Sequence, residues 1–138
     1  MSDLNAFNRG IIEEFRSHGG KVGGPFAGMP VLLLSTVGAR SGEIRTTPVV
    51  YLRDRERLII FGSKAGAPEH PAWYHNLLAN PSATVEVGSE TLQVRAVVTS
   101  GEEREQLFER QAEMYPQFGE YAQRTTRLIP VIALLPSS

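Results

Sequence analysis

The spacing of apolar residues changes period along the chain, and each change predicts an element. Leu4, Phe7, Ile11, Ile12 and Phe15 recur at the spacing of one helical face. Ser2 or Asp3 is placed to cap that face, and Gly19 and Gly20 to end it, so residues 1–20 predict an amphipathic N-terminal helix. Its polar side lacks a lysine-rich band, which favours packing over a sheet end ahead of membrane contact. The glycines and prolines of "KVGGPFAGMP" then suit a loop.

From Val31 the period shortens. "VLLLSTV" is a buried-type run, "GARSGE" a turn, and "IRTTPVVYLRD" a β-branched and aromatic strand, so the three predict a hairpin. "RDRER" turns the chain again into "RLIIFGS". Pro48 cannot donate to a ladder, which assigns its part of the middle strand to an edge or a bulge. A helix opening near Pro71 follows, then the alternating runs "ATVEVG" and "TLQVRAVV" around "GSE", a second hairpin. Ser100 and Glu103 have capping-box spacing at the head of a helix that Pro116 should end. A tyrosine-bearing segment to Arg127 leads into a last apolar strand, "IPVIALL".

Six short antiparallel strands with few helices predict a mainly β, α+β fold: a small barrel with helices over its ends. At 138 residues and 41% hydrophobic composition, the chain supports one core and one domain, residues 1–138. A net charge of −1 gives no overall positive field for nucleic acid. Any anion site must therefore be local. The chain has no cysteine, which removes disulfides, thiolate nucleophiles and cysteine-based metal sites. Neither a signal sequence nor an apolar run of membrane-spanning length occurs, so a soluble cytoplasmic protein is expected.

Charge is polarised along the sequence. Residues 40–64 carry six basic and three acidic side chains, whereas residues 101–127 carry four basic and six acidic ones. Arg53, Arg55 and Arg57 alternate with Asp54 and Glu56, which reads as a solvated, self-compensating tip. Arg40 and Arg45 flank Ser41 and Gly42. Two guanidinium groups and a hydroxyl could converge there on one oxyanion, or form an ordinary basic turn.

In "SKAGAPEHPAWYHN" a single cation, Lys64, sits on a turn whose Ala65, Gly66 and Ala67 add little bulk and are expected to leave their backbone N–H groups open to a planar ligand. Pro71 suits the first turn of the next helix, and Trp73 reads as a core anchor. His18, His70 and His75 share no ligand spacing, so no metal site is expected. GxGxxG, Walker A and GxSxG sequences are absent.

"LLLSTVGARSGEIRTTPVVYL", "GSKAGAPEHPAWYHNLLANP", "EMYPQFGEYAQRT" and "IPVIALLP", in this order, resemble the deazaflavin-dependent nitroreductase and quinone reductase family. The resemblance runs from about Val31 to the C-terminus. It implies a split β-barrel like that of FMN-binding proteins, coenzyme F-420 as cofactor, and hydride transfer to a quinone, nitroaromatic or activated enone. Quinone is the expected physiological acceptor. By matching positions, Arg40, Ser41, Gly42 and Arg45 would hold the phosphate and tail, and Pro48 and Val49 would border the ring. Ser63, Lys64, Ala65 and Gly66 would grip it, with Ala72 and Trp73 behind.

Tyr115 and Tyr121, with Ser63, are the implied catalytic residues, and Tyr115, Phe118 and Tyr121 the implied substrate pocket. Phe118 stands where a related member has tyrosine, and Ala39 where some members have a basic residue. Two alternatives keep the barrel: FMN in place of F-420, and a non-catalytic carrier of a cofactor or lipid-like ligand. A monomer or homodimer, with possible peripheral contact at the inner face of the cell membrane to reach lipid quinones, completes the expectation.

Overall fold

In the computed structural model, residues 2–26 and 28–137 are described, apart from the side chains of residues 2–5, Pro25 and Ala65. The expected contribution of Leu4 to the helix face, and the side chain of Ala65, thus lie outside the described residues. Helix α1 spans Ser2–Ser17. Strands β1 (Val31–Val37), β2 (Ile44–Asp54) and β3 (Arg57–Phe61) form the meander, and α2 covers Ala72–Ala79. The hairpin β4 (Ser82–Val87) and β5 (Glu90–Val98) follows, then α3 (Gly101–Met114), α4 (Gln117–Arg124) and β6 (Val131–Pro136).

The strands close into an antiparallel barrel in the order β1-β2-β3-β6-β5-β4. Strand alternation sends one set of side chains inward. Leu32, Leu34, Val49, Leu58, Ile60, Val85, Val94, Ile132 and Leu134 form this inner core. The helical cover divides in two. Helix α2 inserts Trp73 and Leu77 into the barrel core, whereas the other three helices lie along outer faces. Phe15 of α1 packs on the outward Val31 and Leu33, and Leu107 and Phe118 of α3 and α4 pack on Leu52, Ile59, Phe61, Val131 and Ala133. Arg16 fastens α1 to β4 through two hydrogen bonds to Glu86, of 3.0 and 2.7 Å.

Three local details depart from sequence expectation. The chain between Pro116 and Arg124 is a helix, because its apolar residues meet the outer face of the sheet. Ser100 is the N-cap of α3 but makes no side-chain cap. Glu103 instead accepts a 2.9 Å hydrogen bond from Arg57, a longer-range use of the carboxylate that a capping box requires locally. The basic tip is likewise not self-contained. Asp54 accepts from both Arg57 and Arg110, so the β2–β3 turn is tied to α3.

Helix α3 also buries Gln111, whose amide has no hydrogen-bond partner among the described residues. The local cost is about 1–3 kcal/mol.

Candidate functional site

Strand β2 is longer than its neighbour, and that mismatch leaves part of its edge open. Residues 44–50 of β2 pair with β1, but only Tyr51–Asp54 pair with β3. The chain that would have continued the ladder leaves β3 after Phe61. One edge of β2 from Arg45 to Val50 is therefore without a strand partner among the described residues. Pro48 lies in this stretch, buried, where its missing N–H costs no ladder bond. The expected edge position is thus met by a free half-edge within a closed barrel.

Two loops border that edge. The first joins β1 to β2 and carries Arg40, Ser41 and Gly42. Its form is fixed by the Gly38 N–H donating to Glu43 O at 2.8 Å, the Gly42 N–H to Gly38 O at 2.9 Å, and the Glu43 N–H to the Ser41 hydroxyl at 3.1 Å. A Cβ on Gly38 would lie 2.6 Å from Ser41 Oγ, so this turn admits little else there. Arg40 and Arg45 both project into solvent. Arg45 has Glu43 at 3.6 Å, with both side chains more than 60% exposed, a pairing weak enough for a ligand anion to displace. Arg40 has no ion-pair partner among the described residues.

The second loop, Gly62 to Pro71, joins β3 to α2. Its centre is a short 3-10 turn, Lys64–Gly66, in which Lys64 has a left-handed φ of 45°. That conformation is unfavourable for a residue with a side chain. The Lys64 ammonium pairs with Glu69 at 3.1 Å and is 42% exposed, so it stands at the rim. The expectation that Gly66 leaves its amide open is corrected. Its N–H donates to Ser63 O at 2.8 Å and that of Ala67 to Lys64 O at 3.0 Å. The bare α-carbon of Gly66 faces α4, where a Cβ would lie 2.9 Å from Arg124 Cβ and 3.0 Å from Tyr121 O. The glycine closes the loop against the protein. The amides of Ser63 and Lys64 are different, since neither finds an acceptor among the described residues.

Helix α2 connects the two loops. Asn76, buried at its centre, accepts the Ala39 N–H at 2.9 Å and donates to the Thr36 hydroxyl at 3.0 Å. Asn76 was not a candidate in the sequence, because an amide on a helix carries no motif. Ala72 is exposed at the head of α2, while Trp73 and Val49 are buried in the barrel core.

The aromatic group behaves differently at each position. Phe118 is 5% exposed and meets Phe61 and Tyr121 edge-on at 5.9 and 5.3 Å between ring centres. Tyr115 and Tyr121 are half-buried around it, and their hydroxyls make no hydrogen bond among the described residues. Tyr121 also shares a cation–π contact with Arg124, which places it beside the Lys64–Gly66 turn.

Arg127 and His70 complete the second loop, and neither was a candidate. Arg127 donates to the carbonyls of Gly62, Ser63 and Ala67 and to His70 Nδ1. Burial lowers the Arg127 pKa from its usual value. Burial first, then Arg127 and His75, hold His70 below the ordinary histidine range. The exposed His75 makes a ring contact with His70 at 5.9 Å.

These residues suit a ligand with an anionic tail and a flat, polar-edged ring. Arginines without strong partners stand on the first loop, and the second carries two N–H groups without an acceptor among the described residues. No group of three or more metal-ligating side chains occurs among the described residues.

A family model described as F420H(2)-dependent quinone reductase matches residues 7–136. An F420H(2)-dependent quinone reductase of Mycobacterium tuberculosis is 36% identical over 127 residues, covering 87% of this chain and 83% of the relative. Among solved structures, an F420-H2 dependent reductase aligns with a TM-score of 0.70 at 39% identity, over 76% of this chain and 93% of the other. A second, described as a domain-swapped dimer, aligns at 0.72 and 35% identity, over 91% and 95%.

Proposed function

From the premise that this chain belongs to the F420H(2)-dependent quinone reductase family, we propose that the free half-edge of β2 and the two loops beside it form a cleft that binds reduced coenzyme F-420 for hydride transfer to a quinone. The observation that carries this reading is a family match over almost the whole chain. The barrel with its free β2 half-edge fits it. When bound, the deazaflavin supplies the hydride, and the protein's part is to bind, orient and protonate.

Each wall of the cleft has a distinct task in this reading. Arg40 and Arg45 take the phosphate and acidic tail, with Ser41 and Gly42 shaping the turn that presents them. Pro48 and Val49 give the ring a rigid apolar border. The backbone of Ser63 to Gly66 meets the ring edge, Lys64 adds a cation at the rim, and α2 backs the loop from Ala72 and Trp73. A hydrogen bond to a charged group contributes about 1.5–3 kcal/mol. Micromolar binding needs about 8 kcal/mol, so two or three such contacts plus ring burial suffice.

Tyr115 and Tyr121 offer the acceptor hydroxyl protons at the α3–α4 corner, and Phe118 holds that corner to β3. Phe118, 5% exposed, packs inside that corner, so the acceptor is left with the hydroxyls of Tyr115 and Tyr121. Two finer points belong to the same reading. Among the described residues, no helix is long and apolar enough to cross a membrane. Peripheral contact with a membrane carrying quinones would instead use α1, where Phe7 is 42% exposed and touches Phe26 at 6.4 Å between ring centres. A homodimer is the expected assembly, supported by the dimeric structure with 35% identity.

Titrating the purified chain with F-420 while following cofactor fluorescence tests the reading. Saturation in the micromolar range, followed by menadione reduction when reduced F-420 is supplied, is the expected result. No binding at tens of micromolar overturns it.

A further inference from the structure

The guanidinium of Arg127 gathers a nine-residue stretch of the second loop onto one group. Nε donates to Ala67 O at 3.0 Å, Nη1 to Gly62 O at 3.0 Å and to His70 Nδ1 at 2.9 Å, and Nη2 to Ser63 O at 2.9 Å. All four acceptors are neutral. Among the described residues, no carboxylate lies within ion-pairing distance of Arg127. An interaction selected only for charge neutralisation would not look like this.

The base of Arg127 is itself anchored. Arg104, 6% exposed on α3, donates twice to Ile129 O, at 3.1 and 2.7 Å. The Gly62 N–H donates to Pro130 O at 2.9 Å. The segment bearing Arg127 is thus pinned from α3 on one side and from the loop on the other.

Peptide planarity carries the consequence into the cleft. A trans peptide directs its C=O and N–H in opposite senses. Carbonyls of Gly62 and Ser63 drawn to Arg127 therefore turn the N–H groups of Ser63 and Lys64 away from it. Those two amides have no acceptor among the described residues. The left-handed Lys64 adjoins them, and strained backbone persists only where its surroundings fix it.

We propose that Arg127 is the positioning residue of the cofactor loop, holding the peptide planes of Gly62 and Ser63 so that the Ser63 and Lys64 N–H groups are presented to the ring, with neutral His70 as its fourth acceptor. This rests on the reading of the cleft as the F-420 site. A guanidinium only donates, so His70 must offer the Nδ1 lone pair and carry its proton on Nε2. Protonation of Nδ1 sets an N–H and a second positive charge against Arg127. The groups facing His70 are Arg127, Tyr74 at 4.8 Å and His75 at 5.9 Å between ring centres, with Glu69 next to it in sequence and paired to Lys64. The clamp is closed at neutral pH and opens on acidification.

The test compares wild type with Arg127→Lys and His70→Asn, by amide hydrogen exchange on the cofactor-free chain and by F-420 titration. Lysine keeps the charge but cannot span four acceptors. Asparagine keeps an acceptor near Nδ1 that does not titrate. Arg127→Lys should raise exchange at the hydrogen-bonded loop amides of Gly62, Gly66 and Ala67 tenfold or more while amides of Ile132 and Leu134 stay protected, and should weaken F-420 binding by at least tenfold. His70→Asn should, after correction for intrinsic exchange, keep at pH 5 the protection of the Gly62, Gly66 and Ala67 amides that wild type loses.

Wild-type loop exchange and affinity in Arg127→Lys would overturn the proposal. If that variant does not fold, His70→Asn decides, and loop protection that parallels wild type between pH 7 and 5 overturns it. A wild-type chain that does not bind F-420 sinks the functional reading alone, because loop exchange still decides the clamp.

Discussion

Asn76 joins α2 to the end of β1 by donating from Nδ2 to Thr36 Oγ1 at 3.0 Å, and both residues are buried. Its Oδ1 takes the Ala39 N–H of the arginine-bearing turn. One amide thus sets the distance between the turn and the helix that plugs the barrel. Asn76→Leu would leave the Thr36 hydroxyl and the Ala39 N–H without partners, at about 1–3 kcal/mol each where water cannot replace them. Urea denaturation should show a stability loss of about 2–4 kcal/mol. A loss below about 0.5 kcal/mol would mean that Asn76 does not hold the turn.

Arg45 and Arg55 are both exposed arginines in β-hairpin regions, which makes them a matched pair. Only Arg45 borders the free half-edge of β2. Arg45→Ala should weaken F-420 binding by roughly tenfold, corresponding to about 1.4 kcal/mol, and Arg55→Ala by less than about twofold. Equal losses in a fluorescence titration would remove Arg45 from the oxyanion set.

Phe118 and Tyr121 predict opposite outcomes for one hydroxyl. Adding it by Phe118→Tyr places an O–H in the cluster of Phe61, Leu107 and Val131, at a cost of about 1–3 kcal/mol and with no gain in nitro reduction. Removing it by Tyr121→Phe should leave stability and cofactor affinity near wild type and lower menadione turnover about tenfold or more. Unchanged turnover would exclude Tyr121 from proton delivery.

Asp54 gives a pH signature distant from the cleft. Hydrogen bonds from Arg57 and then Arg110, ahead of opposing burial, hold its carboxyl below the usual carboxylate range. A lowered folded-state pKa contributes stability that is present above the unfolded value of about 3.9 and lost as pH falls through the folded value. Asp54→Asn should therefore cost about 1 kcal/mol at pH 7, and the difference from wild type should shrink as pH drops below about 4. A difference independent of pH would assign the loss to packing.

The sequence by itself determined the six strands, because each strand's alternation and the turns between them are local signals. Its blocks around Arg40–Arg45 and Ser63–Trp73 also determined the family and the two loops that border the cleft. Pro48 already marked an edge, since the missing donor is a property of the residue.

Only the tertiary structure decided how the loops are held. Asn76 meets Thr36 from 40 positions away and Arg127 meets Ser63 from 64, and hydrogen bonds across such separations leave no periodicity to read. Glu103 shows the same limit from the other side, its local capping pattern giving way to Arg57. Gly66 was legible as permissive backbone, but only packing against α4 showed that the space it leaves belongs to the protein. Local chemistry specifies elements, whereas the aim of each backbone amide in the cleft depends on which distant donor its neighbouring carbonyl finds.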